Sequence, residues 1–159
     1  MNIKVGQGID VHAFCENRPL ILGGVEIPYN YGLAGHSDAD VLIHAVCDAL
    51  LGAAHLRDIG YHFPDTDEQY AGIDSRILLK RVVGMLSDKG WRPGNVDVTL
   101  CAERPKLQAY IPQMQETLAG LLNCDSEDVS IKATTTEKLG FVGRREGIAA
   151  FAVVLIEKI

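Results

Sequence analysis

The chain has 159 residues, 47% hydrophobic and 23% charged, with a formal net charge of −6; that is the size of one ordinary domain, 1–159, which needs no disulfide or structural metal to hold a core. The acidic balance argues against a nucleic-acid partner, and the longest apolar stretch, Ile148 to Ile156, is too short to span a membrane. Four scattered cysteines (Cys15, Cys47, Cys101, Cys124) form no C-x-x-C pair, and the N-terminus lacks a signal-peptide pattern, so a reduced, cytoplasmic protein is expected.

In chain order, Ile3 to Val11 alternates as a strand, which puts Asp10 and His12 on one face. Leu20 to Ile27 reads as a hairpin, because Gly23-Gly24 permits the positive φ of a two-residue turn. A helix follows, with Ser37 as the expected N-cap and acidic residues in its first turn. Its apolar rows, Val41-Ala45-Ala49-Ala53 and Leu42-Val46-Leu50-Ala54, have the spacing of a buried stripe, and Asp40, His44 and Asp48 form the opposite row. Leu78, Val82 and Leu86 with Leu79 and Val83 mark a second helix that ends before Gly90. Residues 92–103 alternate as a strand, and Pro112 opens a third helix carrying Met114, Leu118, Leu121 and Leu122. Ala102 to Tyr110 is then a loop leaving a strand end, a common place for ligands. Val129 to Thr135 and Gly147 to Glu157 are the last strands. The final one is apolar on both faces, which suits a strand buried in a sheet or against another subunit. The sum is an α+β fold, a mixed β-sheet packed with helices on one side, plus a small β-hairpin.

Asp10, His12 and His44 offer one carboxylate and two imidazoles, a set suited to a divalent ion with one coordination position left open. By spacing alone, His12 also fits a strand-end surface residue and His44 a satisfied core histidine. Thr134-Thr135-Thr136-Glu137-Lys138 follows a strand directly. Its hydroxyls, amides and lysine make an anion-binding lip, and Glu137 suits an oxygen-loving cation; a solvated turn is the plain alternative. Asp38, Asp40 and Asp48 read as capping or surface charges, with Asp48 also placed to orient an imidazole. His55 and His62 read as surface residues.

The motifs G-x-G-x-D-x-H, H-S-D-x-D-V-x-x-H, D-I-G, F-P-D-T-D, N-V-D-V-T, T-T-T-E-K-L-G-F and G-R-x-E-G occur in that order between Gly6 and Gly147. Together they resemble the 2-C-methyl-D-erythritol 2,4-cyclodiphosphate synthases of the non-mevalonate isoprenoid pathway. The resemblance implies a cyclising, CMP-releasing lyase acting on 4-diphosphocytidyl-2-C-methylerythritol 2-phosphate. It implies one Zn²⁺ per subunit on Asp10, His12 and His44, and Mg²⁺ or Mn²⁺ at Glu137 on the substrate diphosphate. His36 and Thr135 match the pair that stabilises the transition state, and Ser37 matches a phosphate contact. Asp10, Val11 and His12, then Asp58, Ile59 and Gly60, then Phe63, Pro64, Asp65, Thr66 and Asp67 match positions around the substrate. Ala102, Glu103, Arg104, Pro105, Lys106, Leu107 and Gln108 match the cytidine loop. Thr134, Thr135, Thr136, Phe141 and Arg144 complete the substrate-binding set. The resemblance further implies a homotrimer with active sites between subunits and an axial channel able to hold an isoprenoid diphosphate. Arg145 and Phe151 depart from the usual residues of that channel. A metal-dependent diphosphatase and a non-catalytic isoprenoid-diphosphate-binding module are the competing readings.

Overall fold

In the computed structural model, which describes residues 1–159, the first strand, β1 (Ile3–Cys15), runs past the expected end at Val11. It continues because Phe14 and Cys15 pair with the short β4 (Gly32–Leu33). Between them, β2 (Leu20–Leu22) and β3 (Val25–Ile27) form the expected hairpin, with Gly23 and Gly24 both at positive φ. Helix α1 (Val41–Ala53) and the one-turn α2 (Ile59–His62) follow, then α3 (Ser75–Asp88) and β5 (Trp91–Cys101). Helix α4 (Ile111–Leu122), β6 (Val129–Thr134), the one-turn α5 (Gly140–Gly143) and β7 (Gly147–Lys158) complete the chain.

The sheet order is β4-β1-β7-β5-β6. Strand β7 is antiparallel to both neighbours, while β5 and β6 are parallel, so the sheet is mixed. Helix α1 lies across β1 and β7, with α3 and α4 packed beside it over β5 and β6. The approach of α1 to β1 is unusually close. A Cβ on Gly6 or Gly8 would run into the carbonyl oxygens of Ala49 and Ala45, so the first two glycines of G-x-G-x-D are there for packing. Helix α1 is consequently buried nearly all round rather than along one stripe.

Its start differs from expectation. Asp40, not Ser37, is the N-cap, accepting from Ile43 N at 3.0 Å, and no acidic residue lies in the first turn. Asp40 wins because its fully buried carboxylate also accepts the amides of Gly23 (2.9 Å) and Gly24 (2.7 Å) at the hairpin turn. One side chain therefore joins hairpin to helix. Burial pushes its carboxyl up to about 6, against the lowering effect of those amides.

The opposite face of the sheet is open. Ile3, Val5, Ile9 and Val11 of β1 and Phe151 and Val153 of β7 form an apolar band there, from 40% exposed at Phe151 to 66% at Val5. The apolar character of β7 on both faces thus reflects α1 on one side and this uncovered band on the other. No helix is long and apolar enough to cross a membrane.

Candidate active site

Strands β1, β5 and β6 all end at the same edge of the sheet, and both recesses of interest lie there. Asp10 and His12 project from the face of β1 turned toward α1, and His44 meets them from the first turn of that helix. Asp10 Oδ2 lies 2.9 Å from His12 Nε2 and 3.1 Å from His44 Nδ1, and the two nitrogens are 3.2 Å apart. Ligands about 2.0–2.1 Å from a tetrahedral zinc are separated by roughly 3.3 Å, so these three donors fit one face of such a site. The opposite nitrogens are tethered as well. His12 Nδ1 donates to the Ala34 carbonyl at 2.7 Å, which leaves Nε2 free as a ligand. His44 Nε2 lies 2.9 Å from Ser75 Oγ and 3.2 Å from Ser37 Oγ. Burial raises the Asp10 carboxyl, but the imidazoles of His12 and His44 packed against it outweigh that and hold the group at about 2. Burial likewise lowers His12, and its contacts with Asp10 more than reverse this, leaving it raised. Asp10 is therefore an anion throughout the neutral range, the form that metal ligation needs.

The triad opens onto a cavity of about 380 Å³ lined also by His36, Ser37, Ile59, Gly60, Phe63, Pro64 and Asp65. The remaining residues of those segments support it. Asp58 caps α2 through Tyr61 N at 2.8 Å, and Asp67 caps the short turn Glu68–Tyr70 through Gln69 N. The Asp67 carbonyl also accepts from His36 Nε2 at 3.0 Å. Thr66 is exposed beside them. The side chain of Val11 lies on the open face of β1, away from this cavity.

A second recess of about 260 Å³ is formed by Ala102, Pro105, Lys106, Leu107 and Gln108 with Thr134 and Thr135. Glu103 does not line it. Its carboxylate accepts the amides of Thr136 and Lys138, each at 3.1 Å, and so holds the Thr134–Lys138 turn against the loop. Thr136 Oγ is committed to the Leu139 carbonyl at 2.7 Å, and Thr135 Oγ accepts from Glu137 N at 3.3 Å. Glu137 and Arg104 are exposed. Phe141 and Arg144, on and after α5, are also exposed, and Arg144 pairs with Glu146 at 3.1 Å.

One chain does not bring the two recesses together. Val11 pairs with Ala149, Ala149 with Cys101, and Cys101 with Thr134. Three strand spacings therefore separate the triad from the threonines, roughly 14 Å. His36 and Thr135 lie on opposite sides of that gap.

Asp48 does not orient an imidazole. Its carboxylate accepts from Ile59 N at 2.8 Å and fixes α2, while the ring of His44 is served by Ser75 and Ser37. His62 is half-buried and bonded to the Leu56 carbonyl. Two contributors carry no sequence signal. Ser75 is buried at the start of α3, and the Arg18 guanidinium holds the carbonyls of Gly35 (2.6 Å) and Ser37 (2.5 Å), bracing the segment that carries His36.

The YgbB family model matches residues 3–157, nearly the whole chain with the triad and both recesses inside it. The chain belongs to the YgbB family. Among YgbB relatives, a Bacteroides thetaiotaomicron protein named 2-C-methyl-D-erythritol 2,4-cyclodiphosphate synthase is 65% identical over 158 residues, 99% of each chain. One of the same name from Thiobacillus denitrificans is 61% identical over 156 residues, 98% of each. The bifunctional IspDF from Campylobacter jejuni superposes with a TM-score of 0.95 at 45% identity, over 99% of this chain but 42% of that one. The Plasmodium falciparum IspF CDP complex superposes with a TM-score of 0.86 at 34% identity, over 99% and 97% of the two chains.

Proposed function

We propose that this YgbB chain converts 4-diphosphocytidyl-2-C-methyl-D-erythritol 2-phosphate to 2-C-methyl-D-erythritol 2,4-cyclodiphosphate and releases CMP. The observation that carries the reading is the Asp10–His12–His44 triangle opening onto a cavity lined by His36 and Ser37. An oxygen of the substrate's own 2-phosphate attacks the β-phosphorus, and the bond to the CMP oxygen breaks. No protein nucleophile is required, so positioning and charge neutralisation supply the catalysis. Zinc on Asp10, His12 and His44, and Mg²⁺ or Mn²⁺ at Glu137, would act as Lewis acids on the crowded phosphate oxygens.

The side chains then take these roles. His36, oriented by the Asp67 carbonyl, and Thr135 stabilise charge developing on the reacting phosphates, and Ser37 binds a phosphate oxygen. Ile59, Gly60 and the Phe63–Asp65 segment enclose the methylerythritol. The loop from Ala102 to Gln108 reads the base through backbone groups, with Lys106 near the phosphates; the relative described as a CDP complex supports a cytidine diphosphate ligand. The two recesses lie roughly 14 Å apart on one chain, a separation that supports a complete site built between neighbouring subunits of a homotrimer. The open apolar band on β1 and β7 is the surface such an assembly would cover. A cytoplasmic enzyme of isoprenoid synthesis is the corresponding setting.

The deciding experiment is ³¹P NMR of purified protein with this substrate, with metals and after chelation. The expected products are cyclic diphosphate and CMP, lost on chelation and restored by zinc with magnesium. Metal-dependent open-chain phosphates would instead make the protein a diphosphatase. No turnover from folded, metal-loaded protein would leave a binding module.

A further inference from the structure

His44 has to present a bare Nδ1 toward Asp10 and His12 if it is to serve as a ligand, and its other nitrogen faces Ser75 and Ser37. Which nitrogen carries the proton follows from counting donors around Ser75. Ser75 is fully buried, and its amide and hydroxyl both meet the Asp38 carboxylate, at 3.0 Å and 2.5 Å. Asp38 is held in turn by Asp40 N at 3.1 Å. A serine has one hydroxyl proton. Once it is given to the carboxylate, Ser75 Oγ can only accept from His44 Nε2, 2.9 Å away. The ring proton is thereby held on Nε2 against the competing pull of Asp10 Oδ2, 3.1 Å from Nδ1, so that Nδ1 keeps its lone pair for a metal.

We propose that Asp38 and Ser75 form a carboxylate–hydroxyl relay that sets the tautomer and aim of His44, making Ser75 a positioning residue for the metal centre. The proposal rests on the metal-site reading above and deepens it. It accounts for the first aspartate of H-S-D-x-D, which neither caps α1 nor lines the cavity. It also assigns Ser37. That hydroxyl accepts from Ala39 N at 3.1 Å and lies 3.2 Å from His44 Nε2. Neither contact uses its proton, so the Ser37 O–H remains free to donate into the cavity toward a phosphate oxygen. Carboxylates behind metal-bound histidines commonly act directly on the ring; here a serine from another helix is interposed.

Two measurements test this. In wild-type protein treated with chelator, at about pH 8 where an ordinary imidazole is neutral, long-range ¹H–¹⁵N correlation reads the His44 tautomer. The expected result is Nε2–H, and a dominant Nδ1–H would overturn the proposal. Zinc affinity is then compared by chelator competition for wild type, Ser75→Ala and Ser75→Thr, each first checked by circular dichroism and thermal melting. Ser75→Ala should bind zinc about 10–100-fold more weakly and show a mixed His44 tautomer, which a merely structural role for Ser75 would not produce. Ser75→Thr, which keeps the hydroxyl, should return to near wild-type affinity. Folded Ser75→Ala with wild-type zinc affinity and tautomer would refute the relay while leaving the metal site standing. Wild-type protein that binds no zinc would instead remove the metal site itself. If Ser75→Ala fails to fold, the wild-type tautomer decides.

Discussion

Asp40 should make the protein less stable as the pH rises from acid to neutral, and Asp40→Asn should remove that dependence. Its carboxyl titrates near 6 in the folded chain against 3.8 as the ordinary value, because full burial outweighs the amides it accepts. Between those limits the folded state keeps a proton that the unfolded state has released. Stability therefore falls through this window, by about 3 kcal/mol in total. Asp10, held low, acts in the opposite sense, but its stabilisation is lost only as the pH drops from 3.8 toward about 2, a separate range. Asp40→Asn keeps an oxygen for Gly23 N and Ile43 N but turns an amide toward Gly24 N, leaving that donor unpaired at a cost of about 1–3 kcal/mol. The variant should thus be the weaker protein at about pH 4, and the gap should close or reverse by about pH 8. Urea unfolding of both proteins across that range, at one protein concentration and with chelator present, measures the difference. A gap that stays constant with pH would refute the argument, since Asp40 would then ionise alike in both states.

Other substitutions probe the rest of the site. His12→Ala should abolish turnover and bound zinc while the protein still folds, as read by metal analysis, circular dichroism and the ³¹P assay; near-normal rates would remove the zinc role. Gly8→Ala drives a methyl into the Ala45 carbonyl and to 2.7 Å from Ala49 N, so thermal melting should show a loss of at least about 1–3 kcal/mol. The shift of α1 should also weaken zinc binding by separating His44 from Asp10. Phe151→Glu places a charge in the open apolar band and should yield a smaller, inactive species by light scattering. An unchanged mass with full activity would place the assembly surface elsewhere.

Regular elements were legible because periodicity is local. The alternation in β1 put Asp10 and His12 on one face, the row through His44 put it on α1, and Gly23-Gly24 marked the hairpin. The start of α1 was not legible, since Ser37 and Asp40 are both good caps by type. The choice was made by two hairpin amides, at Gly23 and Gly24, that reach Asp40 only in the folded chain. Asp48 failed for a similar reason: spacing placed it one turn past His44, but the donor that reaches it is Ile59 N, at the start of the one-turn α2. Ser75 meets His44 from a different helix, and nothing in its local pattern marks it. The separation of His36 from Thr135 depends on strand order, which local alternation does not encode.

That separation has a genetic consequence. A chain crippled at His36 retains an intact threonine lip, and one crippled at Thr135 retains an intact triad. In the proposed three-fold assembly each site draws one half from each of two neighbours. Co-folding the two inactive proteins in equal amounts should therefore rebuild about one site in four, and cells carrying both defective copies should grow where either copy alone fails.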